Sequence, residues 1–147
     1  MKDRIRRGIQ ESIDLKKRLL KEEALLLQVE RAVHICLTAF RGDGKALFCG
    51  NGGSAADAQH LAGELSGRFY LDREPLFAEA LHVNTTFLTA VANDYSYDEV
   101  FARMVRAGGR KGDVLFALST SGNSTNVVRA ARQARERGMQ VIAFTGA

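Results

Sequence analysis

From residue 2 to residue 40 the apolar positions recur at helical spacing. Ile5, Ile9 and Ile13 lead to Leu19 and Leu20, and a second set, Leu25, Leu26, Val29, Ala32, Val33, Cys36, Leu37 and Phe40, forms an amphipathic stripe. Two helices are expected, breaking near Lys21, with Arg41-Gly42-Asp43-Gly44 as the turn that follows. The period then changes. Ala46-Leu47-Phe48-Cys49 is a short apolar run bounded by glycines, which predicts a buried strand. Gly50 to Gly53 is a glycine loop, and Ser54 is expected to cap a helix running to about Ser66, with Gly67 as its stop. Phe77 to His82 reads as a second strand, Thr85 to Ala92 and Glu99 to Ala107 as helices, Val114 to Leu118 as a third strand, Thr125 to Arg137 as a helix and Gln140 to Phe144 as a fourth strand.

Strands alternating with helices imply βαβ units. The fold class is therefore α/β: a three-layer, Rossmann-like parallel sheet with helices on both faces, preceded by N-terminal helices. Residues 1–40 are read as the N-terminal helices and residues 41–147 as the α/β domain. Ligands of such sheets bind outside the carboxyl ends of the strands. Gly50 to Ser54 and Ser119 to Ser124 both lie at such ends, which is more informative than either loop alone.

Composition narrows the class. A chain of 147 residues suits one domain with one real core, and 46% hydrophobic with 26% charged residues is the balance of a soluble globular protein. The net charge is +4, and basic residues such as Arg4, Arg6, Arg7, Lys16, Lys17 and Arg18 alternate with Asp3, Glu11 and Asp14. That is a solvated helix face, not a nucleic-acid patch. No apolar run approaches membrane-spanning length, and the charged N-terminus is not a signal peptide. Cys36 and Cys49, both in apolar contexts, read as reduced core residues of a cytoplasmic protein.

The candidate chemistry lies in the loops. Ser119-Thr120-Ser121-Gly122-Asn123-Ser124 puts a cluster of hydroxyls at a strand-to-helix turn, where unpaired N–H groups and the positive end of the helix dipole favour an anion, above all a phosphate. One cap needs one hydroxyl, so the cluster exceeds a plain ST-turn. Gly50-Asn51-Gly52-Gly53-Ser54-Ala55 fits the loose form G-x-G-x-x-A and keeps a dinucleotide site open, although no acidic residue is clearly placed after the second strand. His60 and Glu64, four apart on the helix leaving that loop, share one face and reach a common metal or substrate. Asp57 lies on roughly the same face, either to orient His60 or to complement the helix dipole. His82 reads as structural. Asn93-Asp94 is a capping pair or an exposed polar corner, and the residues alone do not choose between them.

Three segments taken together, Cys49-Gly50-Asn51-Gly52-Gly53-Ser54 with Asp57, His60 and Glu64, then Ala92-Asn93-Asp94, then Ser119 to Ser124, resemble the phosphoheptose isomerases of the sugar-isomerase (SIS) domain superfamily. The resemblance covers nearly the whole chain. It implies an aldose–ketose isomerase converting sedoheptulose 7-phosphate to D-glycero-D-manno-heptose 7-phosphate, toward the heptose of lipopolysaccharide. The proton moves between C1 and C2 through an enediol, which needs a base at carbon and an acid or base at the oxygens. By the resemblance, Glu64 is the base. Ser119, Thr120, Ser121 and Ser124 hold the phosphate, and Asn51, Gly52, Gly53, Asn93 and Asp94 contact the sugar. His60 and Glu64 are zinc ligands, and the chain assembles as a homotetramer through its N-terminal helices.

The sequence departs from the family pattern at its end. Family chains continue with a further strand and a C-terminal helix carrying a Gln and a His that complete the metal site and supply the second acid/base, whereas this sequence stops at Gly146-Ala147. His34 lies in the N-terminal stripe and does not replace them. The C-terminal strand and helix are read as missing, and the chain alone is expected to be a poor isomerase. The runner-up is a non-catalytic SIS protein of the kind that binds the bacterial replication initiator; Glu64 favours the enzyme branch. A nucleotide-dependent oxidoreductase is the third reading.

Overall fold

The computed structural model describes residues 1–146. Its elements are α1 (Lys2–Leu19), α2 (Glu23–Arg41), β1 (Ala46–Cys49), α3 (Gly53–Ser66), β2 (Ala78–Ala80), α4 (Thr85–Asp94), a single 3-10 turn (Tyr97–Glu99), α5 (Val100–Gly108), β3 (Val114–Ser119), α6 (Thr125–Glu136) and β4 (Gln140–Thr145). None of the described helices is long and apolar enough to cross a membrane.

The chain divides into two compact units, Met1–His34 and Ile35 onward. In the first, α1 is amphipathic yet leaves Ile5, Ile9 and Ile13 exposed. The helices break where the sequence predicts, because Lys21 and Glu22 turn their N–H groups back to Arg18 and Leu19. The second unit begins inside α2, whose last residues Ala39 and Phe40 pack toward the sheet.

The sheet is parallel throughout, in the order β2-β1-β3-β4. Every residue of β1 is buried, as a central strand covered on both faces requires. Alternation along that strand feeds two separate cores. Leu47 and Cys49 join Leu115, Ala117, Phe101, Val105 and Val127, on the side of α4, α5 and α6. Ala46 and Phe48 join Ala58, Ala62 and Leu118 on the side of α3. The three-layer expectation is met.

This order puts a switch point at the centre of the sheet. From β1 the chain crosses to β2 on one side through α3, while β3 leads through α6 to β4 on the other. The loops leaving β1 and β3 therefore diverge to opposite faces, and a crevice opens between them at the carboxyl ends of adjacent strands. At the opposite end, a buried carboxylate fastens the same two strands. Asp113 accepts from the N–H of Lys45 and of Arg110 at 3.0 and 2.7 Å, and pairs with the Lys45 ammonium at 2.7 Å.

Three local expectations change. Ser54 does not cap α3. The helix starts two residues earlier, with Gly52 at the N-cap position in a backbone conformation (φ 56°, ψ −121°) that only glycine adopts readily, and no side chain caps it. The second strand shrinks from Phe77–His82 to Ala78–Ala80, since Phe77 is largely exposed and only Ala78 to Ala80 pair with β1. The helix expected to end at Ala92 runs on to Asp94, so Asn93-Asp94 forms its last turn.

Candidate functional site

The loop after β1 is shaped by closeness. A Cβ on Gly50 would lie 2.8 Å from Ser54 atoms, so only glycine lets the strand end turn directly into α3. The turn brings α3 over the sheet edge, with Ala58 and Ala62 buried beneath it and the polar residues Asp57, His60 and Glu64 above.

The loop after β3 is organised by its hydroxyls. Ser119 is buried at the strand end, and its Oγ lies 3.0 Å from Ser124 Oγ across the loop. Ser121 Oγ accepts from the N–H of Asn123 at 3.2 Å. Ser124 holds the N-cap position of α6 but makes no side-chain cap. The cap role falls to Asn126, whose Oδ1 accepts the N–H of Val127 at 2.9 Å. Val128 donates to the Ser124 carbonyl. Among the described residues, the N–H groups of Thr125 and Asn126 have no backbone partner at the head of the helix, where its dipole is positive.

A cavity of about 420 Å³ lies between the loops, lined by Ser54, Asp57 and His60 of α3 and by Ser119 and Thr120, with Phe144 and Thr145 of β4 closing one side. Among the described residues, no lysine or arginine lines it. Beside the Asp57 carboxylate, an anion there meets the neutral hydroxyls of Ser54, Ser119 and Thr120, which bind without the full strength of a charge pair and permit release. Beside it runs an apolar groove of about 620 Å³ that shares His60, Leu61 and Phe144 with the cavity and adds Glu64, Phe69, Tyr70 and Arg73. His60 thus stands at the junction. Its Nε2 lies 3.5 Å from Glu64 Oε1.

The predicted site residues separate accordingly. Ser119 and Thr120 share the cavity with His60, Ser124 reaches it through Ser119, and Glu64 faces the adjoining groove. Ser121 braces its own loop. Asn51 is tied to α6, its amide paired with that of Asn126. Gly52 and Gly53 open α3. Asn93 and Asp94 bond to each other at 3.0 Å on the exposed end of α4. Sequence reasoning missed Asn126 and Tyr97, whose hydroxyl donates to Asn51 Oδ1 at 3.2 Å. A buried-capable amide within the first helical turn after a ligand loop was the available signal for Asn126.

Comparison with known proteins fixes the family. The SIS domain family model matches residues 9–146. The phosphoheptose isomerase of Mycobacterium tuberculosis (strain ATCC 25177 / H37Ra) is 56% identical over 137 residues, 92% of this chain and 69% of that one. The chain belongs to the phosphoheptose isomerase family of SIS-domain proteins. The phosphoheptose isomerase of Clostridium acetobutylicum is 47% identical over 146 residues, covering 99% of this chain and 74% of its own. The solved phosphoheptose isomerase of Neisseria gonorrhoeae superposes with a TM-score of 0.91 at 47% identity, covering 99% of this chain and 75% of that one.

Phosphoheptose isomerase membership raises the question of zinc. His60 and Glu64 offer an imidazole and a carboxylate one helical turn apart, both donor types zinc accepts. Among the described residues, however, no group of three or more His, Cys, Asp and Glu is placed to hold a metal. These residues do not make a zinc site by themselves.

Proposed function

We propose that this phosphosugar isomerase interconverts sedoheptulose 7-phosphate and D-glycero-D-manno-heptose 7-phosphate, with Glu64 as the base that moves the proton between C1 and C2. The observation that carries the reading is the shared cavity: the Ser119–Thr120 hydroxyls and His60 line one space, and His60 leads on to Glu64. In this arrangement the phosphate sits on Ser119, Thr120, Ser121 and Ser124 against the head of α6. The sugar chain extends past His60, and the reacting carbons reach Glu64. Asn51, with Gly52 and Gly53, and Asn93 with Asp94 are assigned to the sugar hydroxyls.

The chemistry follows from the groups present. The Glu64 carboxylate takes the carbon-bound proton, leaving an enediolate; the hydroxyl proton of the neighbouring carbon passes by way of solvent to the former carbonyl oxygen, and Glu64 returns its proton at that neighbouring carbon. His60, beside Glu64, steadies that carboxylate in its working orientation. Held by its phosphate, the substrate reacts as if intramolecular, which is the larger share of what binding contributes. The same reading makes the protein a cytoplasmic homotetramer, and the exposed apolar face of α1 supports packing between copies.

Proton transfer through an enediol exchanges hydrogen with solvent. In deuterium oxide, nuclear magnetic resonance over a long incubation should show slow entry of deuterium into the substrate at C1 or C2 with the native chain, and loss of that exchange in Glu64→Gln. Undiminished exchange in Glu64→Gln would remove Glu64 as the base.

A further inference from the structure

Asn126 is buried in the first turn of α6, only 3% exposed, where an amide is neither a good helix former nor cheap to desolvate. Such a group persists when its hydrogen bonds are complete, and here they are unusually directed. The Val127 N–H can only donate, so the atom 2.9 Å from it must be the Asn126 carbonyl oxygen, Oδ1. Asn126 therefore turns its Nδ2 toward the other partner. That partner is Asn51, 75 residues earlier, in the glycine loop. Asn126 Nδ2 donates to Asn51 Oδ1 at 3.0 Å, and Asn51 Nδ2 donates back to Asn126 Oδ1 at 2.9 Å.

A second donor reaches the same Asn51 oxygen. The Tyr97 hydroxyl lies 3.2 Å from Asn51 Oδ1. The turn that carries Tyr97 is clamped to α6, because Arg129 pairs with Glu99 and lies 3.8 Å from Asp98. Both lone pairs of Asn51 Oδ1 are then occupied, and one of its two N–H groups is spent on Asn126. What remains is a single N–H.

We propose that Asn126 is a positioning residue: through the paired amide it fixes Asn51 so that this side chain keeps one N–H donor, and no free acceptor, for the phosphosugar. The inference rests on the function proposed above. A donor held this way suits a carbonyl or enediolate oxygen, whose charge grows during proton transfer, and it costs no reorganisation when the reaction occurs. The pairing also links the two ligand loops, since Asn126 follows directly on the hydroxyl cluster and Asn51 opens the glycine loop.

The test is a double-mutant cycle read as affinity for sedoheptulose 7-phosphate by titration calorimetry on the full chain. Asn126→Ala should weaken binding roughly tenfold in the native background and change it less than about twofold in an Asn51→Ala background, because a residue acting through Asn51 has nothing to act on once that amide is gone. Equal weakening in both backgrounds would overturn the inference, since a merely structural effect is additive. Tyr97→Phe, at an exposed position, runs the same cycle if Asn126→Ala fails to fold; a several-fold loss confined to the native background supports the inference, and no loss or an additive one contradicts it. A native chain that does not bind sedoheptulose 7-phosphate would remove the proposed function, and the inference with it. Normal binding with an additive cycle would remove the inference alone.

Discussion

Replacing Ser119 by Ala takes one hydroxyl from the floor of the cavity. Ser119 is 6% exposed, and its Oγ is held 3.0 Å from Ser124 Oγ, so in the free protein the pair forms one neutral hydrogen bond worth about 1 kcal/mol. With phosphate bound, the same hydroxyl donates to a charged acceptor, where a bond is worth about 1.5–3 kcal/mol. Affinity for sedoheptulose 7-phosphate should fall by about 10- to 150-fold. Stability should fall by no more than about 1 kcal/mol, because the orphaned Ser124 hydroxyl lies in a half-buried loop and can turn to water. Titration calorimetry gives the first quantity and urea unfolding the second. An unchanged dissociation constant in a folded Ser119→Ala protein would refute the placement of the phosphate. A large loss of stability without a loss of affinity would make Ser119 a packing residue.

Three further outcomes follow from groups outside the cavity. Asp113→Ala strands the Lys45 ammonium and two backbone N–H groups, and should destabilise the fold by roughly 3–5 kcal/mol in urea unfolding, leaving the ligand affinity of the folded fraction unchanged. Burial pushes the Cys49 thiol up to about 12 and raises the half-buried Cys36 less completely, so iodoacetamide should label Cys36 first in the native protein and Cys49 only on unfolding, as mass spectrometry would show. Burial also lowers His82 below its ordinary 6.5, and its Nδ1 is buried without a hydrogen-bond partner among the described residues. Above 6.5 both states hold a neutral imidazole and that stability is complete; it is lost as the pH falls from 6.5 through the lowered folded value, because the unfolded chain takes up the proton first. Unfolding midpoints measured between about pH 7.5 and 5.5 should drop less steeply in His82→Gln than in the native protein.

Much of this architecture was legible because local pattern and global fold agree. The all-apolar run Ala46 to Cys49 could only be a strand covered on both faces, and it is. The hydroxyl cluster after Val114 to Leu118 singled out its loop because its composition exceeds what a turn needs. What stayed hidden depends on partners distant in sequence. Asn126 looks like an ordinary helix residue until the topology brings Asn51 against it. Asp113 reads as a turn residue before a strand, and its role appears only when Lys45, 68 residues away, arrives beside it. Ser54 misled for a local reason: Gly52 takes up a conformation that starts the helix earlier, so a favoured cap residue finds itself already inside the first turn.

In the proposed function, the loop from Ser119 to Ser124 anchors the phosphate of a sugar. Thermal unfolding with paired ligands tests it most directly. At a ligand concentration about 100 times its dissociation constant, sedoheptulose 7-phosphate should stabilise the fold by about 2.7 kcal/mol, raising Tm by roughly 5–10 °C. Unphosphorylated sedoheptulose at the same concentration should leave Tm unchanged. No shift with the phosphosugar, or an equal shift with both sugars, would contradict the account.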